Sequence, residues 1–101
     1  MFTLAIDSPD PGAARLRLSG HLDDAAARDV LHAAAHVVKA GCVRMVVDLD
    51  DLRSYDVTAA YAVVGCARLA RFLPAGVEVV AGSQPGLGLA AEAGASRVQL
   101  V

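Results

Sequence analysis

The chain has 101 residues, 55% of them hydrophobic and 20% charged, and a net charge of −2. That length buries one core and not two, so a single domain over residues 1–101 is expected, and so large an apolar share excludes intrinsic disorder. No run of Lys or Arg gives the footprint of a nucleic-acid or acidic-membrane binder, and no segment approaches the roughly 20 apolar residues of a membrane span. The opening Met1–Ile6 is too short for a signal-peptide core, so a cytoplasmic protein is expected.

Phe2–Ile6 and Ala14–Ser19 read as short strands, the second alternating Arg15, Arg17 and Ser19 outward with Leu16 and Leu18 inward. The DSPDPG turn cluster between them predicts an antiparallel hairpin. A helix follows Gly20: Asp23 or Asp24 caps its first amides, Lys39 sits in its last turn and Gly41 stands at its end. Ala27, Val30, Leu31, Ala34, Val37 and Val38 make its buried stripe, and Arg28, His32, His36 and Lys39 its wet one.

Val43–Leu49 is nearly continuous in apolar character and predicts a strand covered on both faces. A second helix is expected from about Val57 to Phe72, stopped by Pro74 and Gly76. A strand over Val77–Ala81, a short helix from about Pro85 to Ala93 closed by Gly94, and a last strand over Arg97–Val101 complete the chain. The order is β-β-α-β-α-β-α-β: a small α/β domain with a mixed sheet, an antiparallel N-terminal hairpin, and helices joining consecutive parallel strands by right-handed crossovers.

Residues able to carry chemistry fall into four groups. His32, His36 and Asp29 share a helix side, but Arg28 and Lys39 repel a cation there, so a solvated face is the reading and no metal is expected. Gly86-Leu87-Gly88-Leu89-Ala90-Ala91 matches a dinucleotide pattern, but the chain ends before the acidic ribose partner could appear; close packing of a helix on the sheet explains the glycines, and no cofactor is expected. Asp48, Asp50, Asp51 and Asp56 crowd the end of a strand, as turn-forming and capping residues; a Mg²⁺ pocket would want a late Lys, and none follows Lys39. Cys42 and Cys66 have no CxxC spacing and read as free, mostly buried thiols.

No Ser/His/Asp or Cys/His arrangement is suggested by spacing, so an enzyme is not expected; any enzyme reading would rest on His21 or Asp56. Asp56 is placed to accept hydrogen bonds from the first amides of the second helix, which holds Val57 and Thr58 at an exposed helix mouth.

Four segments in order resemble the STAS family, the domains of anti-sigma factor antagonists and sulfate transporter tails. Leu18-Ser19-Gly20-His21-Leu22-Asp23 is similar to its L-x-G-x-L-D, and Val46-Val47-Asp48-Leu49-Asp50-Asp51-Leu52 to its V-V-[DE]-L-x-x-[LV]. Tyr55-Asp56-Val57-Thr58-Ala59 occupies its φ-D-[ST]-[SA]-G, and the stretch from Ser83 through Gly94-Ala95-Ser96 has its short helix closed by Gly.

The resemblance implies a binding module without catalysis, whose partner is an anti-sigma factor that is itself a GHKL-type serine kinase. That kinase phosphorylates the Ser or Thr directly after the Asp, and the modified form lets go. Here Val57 stands at the acceptor position and takes no phosphate. Three accounts follow: Thr58 is phosphorylated instead; the chain is an antagonist without that off switch; or the fold serves as a scaffold or accessory subunit, for lipid or anion transport, or as a small-ligand module. In the second account Val57, Tyr61, Gly65 and Arg68 present one helix face to the partner, with Asp23 on the neighbouring loop and Asp56 at its head. A homo-oligomer is compatible with any of the three.

Overall fold

The computed structural model describes residues 1–94 and 98–99. Its elements run β1 (Phe2–Asp7), β2 (Ala13–Leu22), α1 (Asp24–Lys39), β3 (Arg44–Tyr55), α2 (Tyr61–Arg68), β4 (Val77–Val80), α3 (Gln84–Glu92) and β5 (Val98–Gln99). Among the described residues the strands form one sheet in the order β1-β2-β3-β4-β5, with β1 antiparallel to β2 and each later pair parallel. This is the expected α/β order. The expected last strand falls partly outside the described residues, at 97 and 100–101.

The ends of α1 follow from its sequence. Asp23 Oδ1 accepts from the Ala26 amide at 2.8 Å, which satisfies one orphan donor of the first turn. At the other end Gly41 takes φ +95°, its amide bonds Val38 C=O at 3.1 Å and the Cys42 amide bonds Val37 C=O at 3.4 Å, the paired bonds of a glycine-closed helix. Ala26, Ala27, Val30, Ala34 and Val37 are buried, with Leu31 and Val38 packed beside them.

One core joins Leu16, Leu18 and Leu22 of β2, Met45, Val47, Leu49 and Leu52 of β3 and Val79 of β4 to the buried faces of all three helices. The expectation that β3 is covered on both faces is therefore corrected. Its second face carries Arg44, Asp48 and Asp50, and Val46, although buried, lies in register between Arg15 and Glu78 rather than under a helix. The long stems of such residues cover an apolar neighbour while their charges stay wet. Arg15 bonds Asp7 at 2.6 Å on this face, and Arg44 bonds Asp10 at 3.0 Å and Glu78 at 3.4 Å.

β3 also runs six residues past the expected end at Leu49. Its pairing with β2 slips twice, from Arg17↔Asp48 to Ser19↔Asp51 and from Gly20↔Leu52 to His21↔Ser54. Each slip puts one extra residue into β3, so that Leu49, Leu52 and Tyr55, spaced by three, all reach the core side opposite β2, whose Leu18, Gly20 and Leu22 keep a period of two. Asp48 pins the first slip by accepting the Asp50 amide at 2.9 Å. Asp50 and Asp51 thus lie within a bulged strand and not in a turn.

The second helix is likewise not uniform. Val57–Ala60 and Leu69–Phe72 are 3₁₀ turns on either side of α2. The first is tight because the Ala59 amide donates to Asp56 C=O at 2.8 Å, three residues back. Ser83 caps α3, accepting the Gly86 amide at 3.1 Å and donating to Leu49 C=O at 3.1 Å, which ties the helix to the bulge of β3.

Candidate functional site

The bulges prolong β3 beyond the end of its apolar run and deliver Ser54 beside His21 of β2. His21 Nδ1 lies 2.7 Å from Ser54 Oγ, and His21 Nε2 lies 3.1 Å from Asp56 Oδ1. Asp56 is therefore not the helix cap expected of it: its side chain makes no capping bond and turns to the imidazole instead. Spacing alone hid this row, because His21 and Ser54 are 33 residues apart and meet only through a slipped register. Ser54 is exposed and His21 half-buried, at the rim of an open groove of about 800 Å³ lined by Thr3, Ser19, Gly20, Asp50, Asp51 and Arg53 among others.

Directly after Asp56 the chain turns into the first 3₁₀ turn. Val57 is 63% exposed, a large apolar side chain held in solvent at the head of the helix, and Thr58 beside it is exposed too. One turn on, the Tyr61 hydroxyl lies 3.1 Å from Asp24 Oδ1 and 3.2 Å from Asp24 C=O, at the first turn of α1. Arg28 in turn bonds Asp24 Oδ2 at 3.0 Å. The Arg28 guanidinium first, and then the Tyr61 hydroxyl, hold the Asp24 carboxyl below its ordinary value, while desolvation and then Asp24 push the Tyr61 phenol up. Arg68, seven residues after Tyr61, lies on the same side of α2 about 10 Å further along and is exposed.

The structure thus brings Asp56, Val57, Thr58, Tyr61 and Arg68 along one border of the molecule. Asp23 is occupied as the α1 cap, and Asp24 is the residue that touches Tyr61. Gly65 does not belong to that face: a Cβ there would come within 2.4 Å of Leu31 Cδ2, so it faces α1 and lets the two helices approach. Among the described residues no group of three His, Cys, Asp or Glu is placed to hold a metal, and no helix is long and apolar enough to cross a membrane. The glycines of the dinucleotide-like pattern serve packing. A Cβ at Gly86 would sit 2.7 Å from Leu49 O and one at Gly88 2.8 Å from the Tyr55 hydroxyl.

No protein-family model matches the sequence, and none of the curated proteins does. Solved structures do match. An anti-sigma factor antagonist from Mycobacterium paratuberculosis superposes with a TM-score of 0.77 at 19% identity, over 93% of this chain and 79% of that one. The anti-sigma factor antagonist SpoIIAA in its unphosphorylated form gives 0.77 at 12% identity over 98% and 89%, and the Bacillus cell fate determinant SpoIIAA in the phosphorylated form gives 0.76 at 14% over 98% and 91%. The chain has the STAS fold, the fold of these anti-sigma factor antagonists.

Proposed function

We propose that the chain is a protein-binding regulatory module of the anti-sigma factor antagonist kind, without catalytic turnover, that docks a GHKL-type serine kinase acting as anti-sigma factor. The observation that carries this reading is the exposed Val57 at the head of α2, in line with Tyr61 and Arg68. An apolar residue flanked by an aromatic and an arginine has the composition of an interface anchor. SpoIIAA, similar in fold, is known in unphosphorylated and phosphorylated forms, and valine at position 57 removes the hydroxyl through which the family resemblance would place that modification. The module accordingly binds without being released by phosphate at this position.

The test is capture of partners from the native host with wild type and Val57→Glu side by side, the bound proteins being identified by mass spectrometry. A GHKL-type kinase recovered with wild type and lost with Val57→Glu supports the reading. Recovery of the same membrane-transport components by both baits replaces it with that of an accessory subunit.

A further inference from the structure

Beyond partner binding, and independent of it, the row Ser54–His21–Asp56 has the chemistry of an activated nucleophile. We propose that Ser54 accepts an acyl group from small, uncharged activated esters, with His21 as its general base and Asp56 as the residue that positions His21.

A carboxylate only accepts hydrogen bonds, so the 3.1 Å approach of Asp56 Oδ1 to His21 Nε2 puts the neutral imidazole's proton on Nε2. Nδ1 is then the acceptor, and it lies 2.7 Å from Ser54 Oγ, within the reach of a base for the proton it removes. Nucleophile, base and orienting carboxylate stand in the order found in serine acyl-transfer sites, with the two ring nitrogens exchanged. The exchange does not matter to the proton transfer, since either nitrogen of an imidazole acts as acceptor when the other is protonated. Each member comes from a different piece of backbone: His21 from the end of β2, Ser54 from the bulged end of β3, Asp56 from the corner after it. Ser54 is exposed and opens onto the groove beside β1, so a donor reaches it without any rearrangement.

In the step, Ser54 Oγ attacks the ester carbonyl carbon and its proton passes to His21 Nδ1. The Oγ–C bond forms, the bond from carbonyl carbon to leaving oxygen breaks, and the leaving group departs as the alcohol or phenolate. The imidazolium formed is held against Asp56 until its proton goes to the leaving group or to water. A neutral acyl donor suits the surroundings better than a phosphoryl donor. Asp50 and Asp51 line the groove with Arg53, the Arg17 guanidinium lies 3.9 Å from Asp51 and is already engaged by it, and Asp56 faces the imidazole. A phosphoryl group would add about −1.5 to −2 charges among these carboxylates.

The whole chain is incubated with p-nitrophenyl acetate, and the acetylated residues are mapped and timed by mass spectrometry, with Ser8, Ser19 and Ser83 as internal references. Ser54 is expected to be acetylated at least about tenfold faster than the reference serines, at a rate that rises with pH as an imidazole loses its proton and then levels off. Ser54→Ala abolishes this label. His21→Gln slows it by at least about tenfold and flattens the pH profile, while Asp56→Asn slows it without flattening the profile, since a carboxamide fixes the proton on Nε2 less firmly than a carboxylate that can only accept. All three positions are partly or fully exposed, and circular dichroism verifies that the variants fold. Acetylation of Ser54 no faster than that of Ser8, or a rate indifferent to His21→Gln, overturns the proposal.

Discussion

The Tyr61 hydroxyl stands 3.1 Å from Asp24 Oδ1, so that the side chain heading α2 is fastened to the first turn of α1. The contact fixes the direction in which the ring presents its edge beside Val57. It also couples the two helices to pH at both ends of the scale.

At the acid end, the Asp24 carboxyl lies below its ordinary value because of Arg28 and then Tyr61, and Asp7 does so because of Arg15. A folded value below the unfolded one gives stabilisation that is complete above the unfolded value and is lost as pH falls through the folded one. At the alkaline end, the raised Tyr61 phenol keeps its proton where the unfolded chain has released it, so its support is complete below the ordinary value of 10.0 and is lost as pH rises through the folded value. The midpoint of thermal unfolding is expected to be flat through neutrality and to fall on both sides. Asp24→Asn should soften the acid limb and Tyr61→Phe the alkaline one, and salt should shrink both because the pairs lie at the surface. An alkaline limb unchanged in Tyr61→Phe would remove this account.

Position 57 separates binding from stability. Val57 is so exposed that Val57→Glu should change unfolding free energy by no more than about 0.5 kcal/mol, as surface substitutions do. The same change places a charge in the proposed anchor and should weaken capture of a purified kinase partner at least about tenfold, corresponding to about 1.4 kcal/mol. Val57→Ser should bind like wild type until that kinase and ATP are supplied together, and then release. Titration calorimetry with and without ATP reads both effects.

Two glycines make opposite forecasts. A methyl at Gly65 meets the end of the Leu31 side chain, which is only partly buried and can rotate aside, and alanine gains up to about 1 kcal/mol of helix propensity over glycine. Gly65→Ala is therefore expected within about 1 kcal/mol of wild type. At Gly86 the methyl meets the backbone oxygen of Leu49, which β3 holds in place, so Gly86→Ala should cost about 1–3 kcal/mol in spite of the same propensity gain. Urea unfolding of the pair decides the matter, and equal losses at the two sites would contradict it.

The thiols should differ in reactivity. Cys66 is buried in the core, and burial pushes its thiol up to about 12, so at neutral pH almost none of it is the reactive thiolate. Cys42 is only partly covered. A disulfide reagent is expected to titrate one thiol promptly in the native chain and the second only on unfolding. Prompt reaction of both would show that the core opens more readily than its packing implies.

The order of elements was legible because α1 and α3 advertise their limits locally, whereas α2 has no side-chain cap and its 3₁₀ ends carry no such mark. Asp23 and Gly41 bracket α1, and Ser83 with Pro85 opens α3, through bonds that span three or four residues. The double slip in β3 was not, since a bulge is a property of two strands and β3 shows only an apolar run that stops at Leu49. The same slip makes the Ser54–His21 meeting invisible to spacing. Asp56 looked like a helix cap because the residue type and position allow it, and the nearby imidazole outcompeted the amides for its carboxyl. The sequence leaves the α1 cap open between Asp23 and Asp24, because two adjacent carboxylates before a helix suit it equally; the fold gives the cap to Asp23 and the Tyr61 contact to Asp24.

The charged face of the sheet has a consequence for assembly. Arg15 with Asp7, Arg17 near Asp48, and Arg44 with Glu78 spread ions of both signs over four neighbouring strands. Stacking this face against a second sheet would strip water from all of them, at several kcal/mol per ion that their existing pairs offset only in part. Two copies, or a copy and a foreign sheet, are thereby discouraged from closing into a sandwich. The helical side carries no such penalty along the border from Asp56 to Arg68, where Val57 and Tyr61 stand exposed.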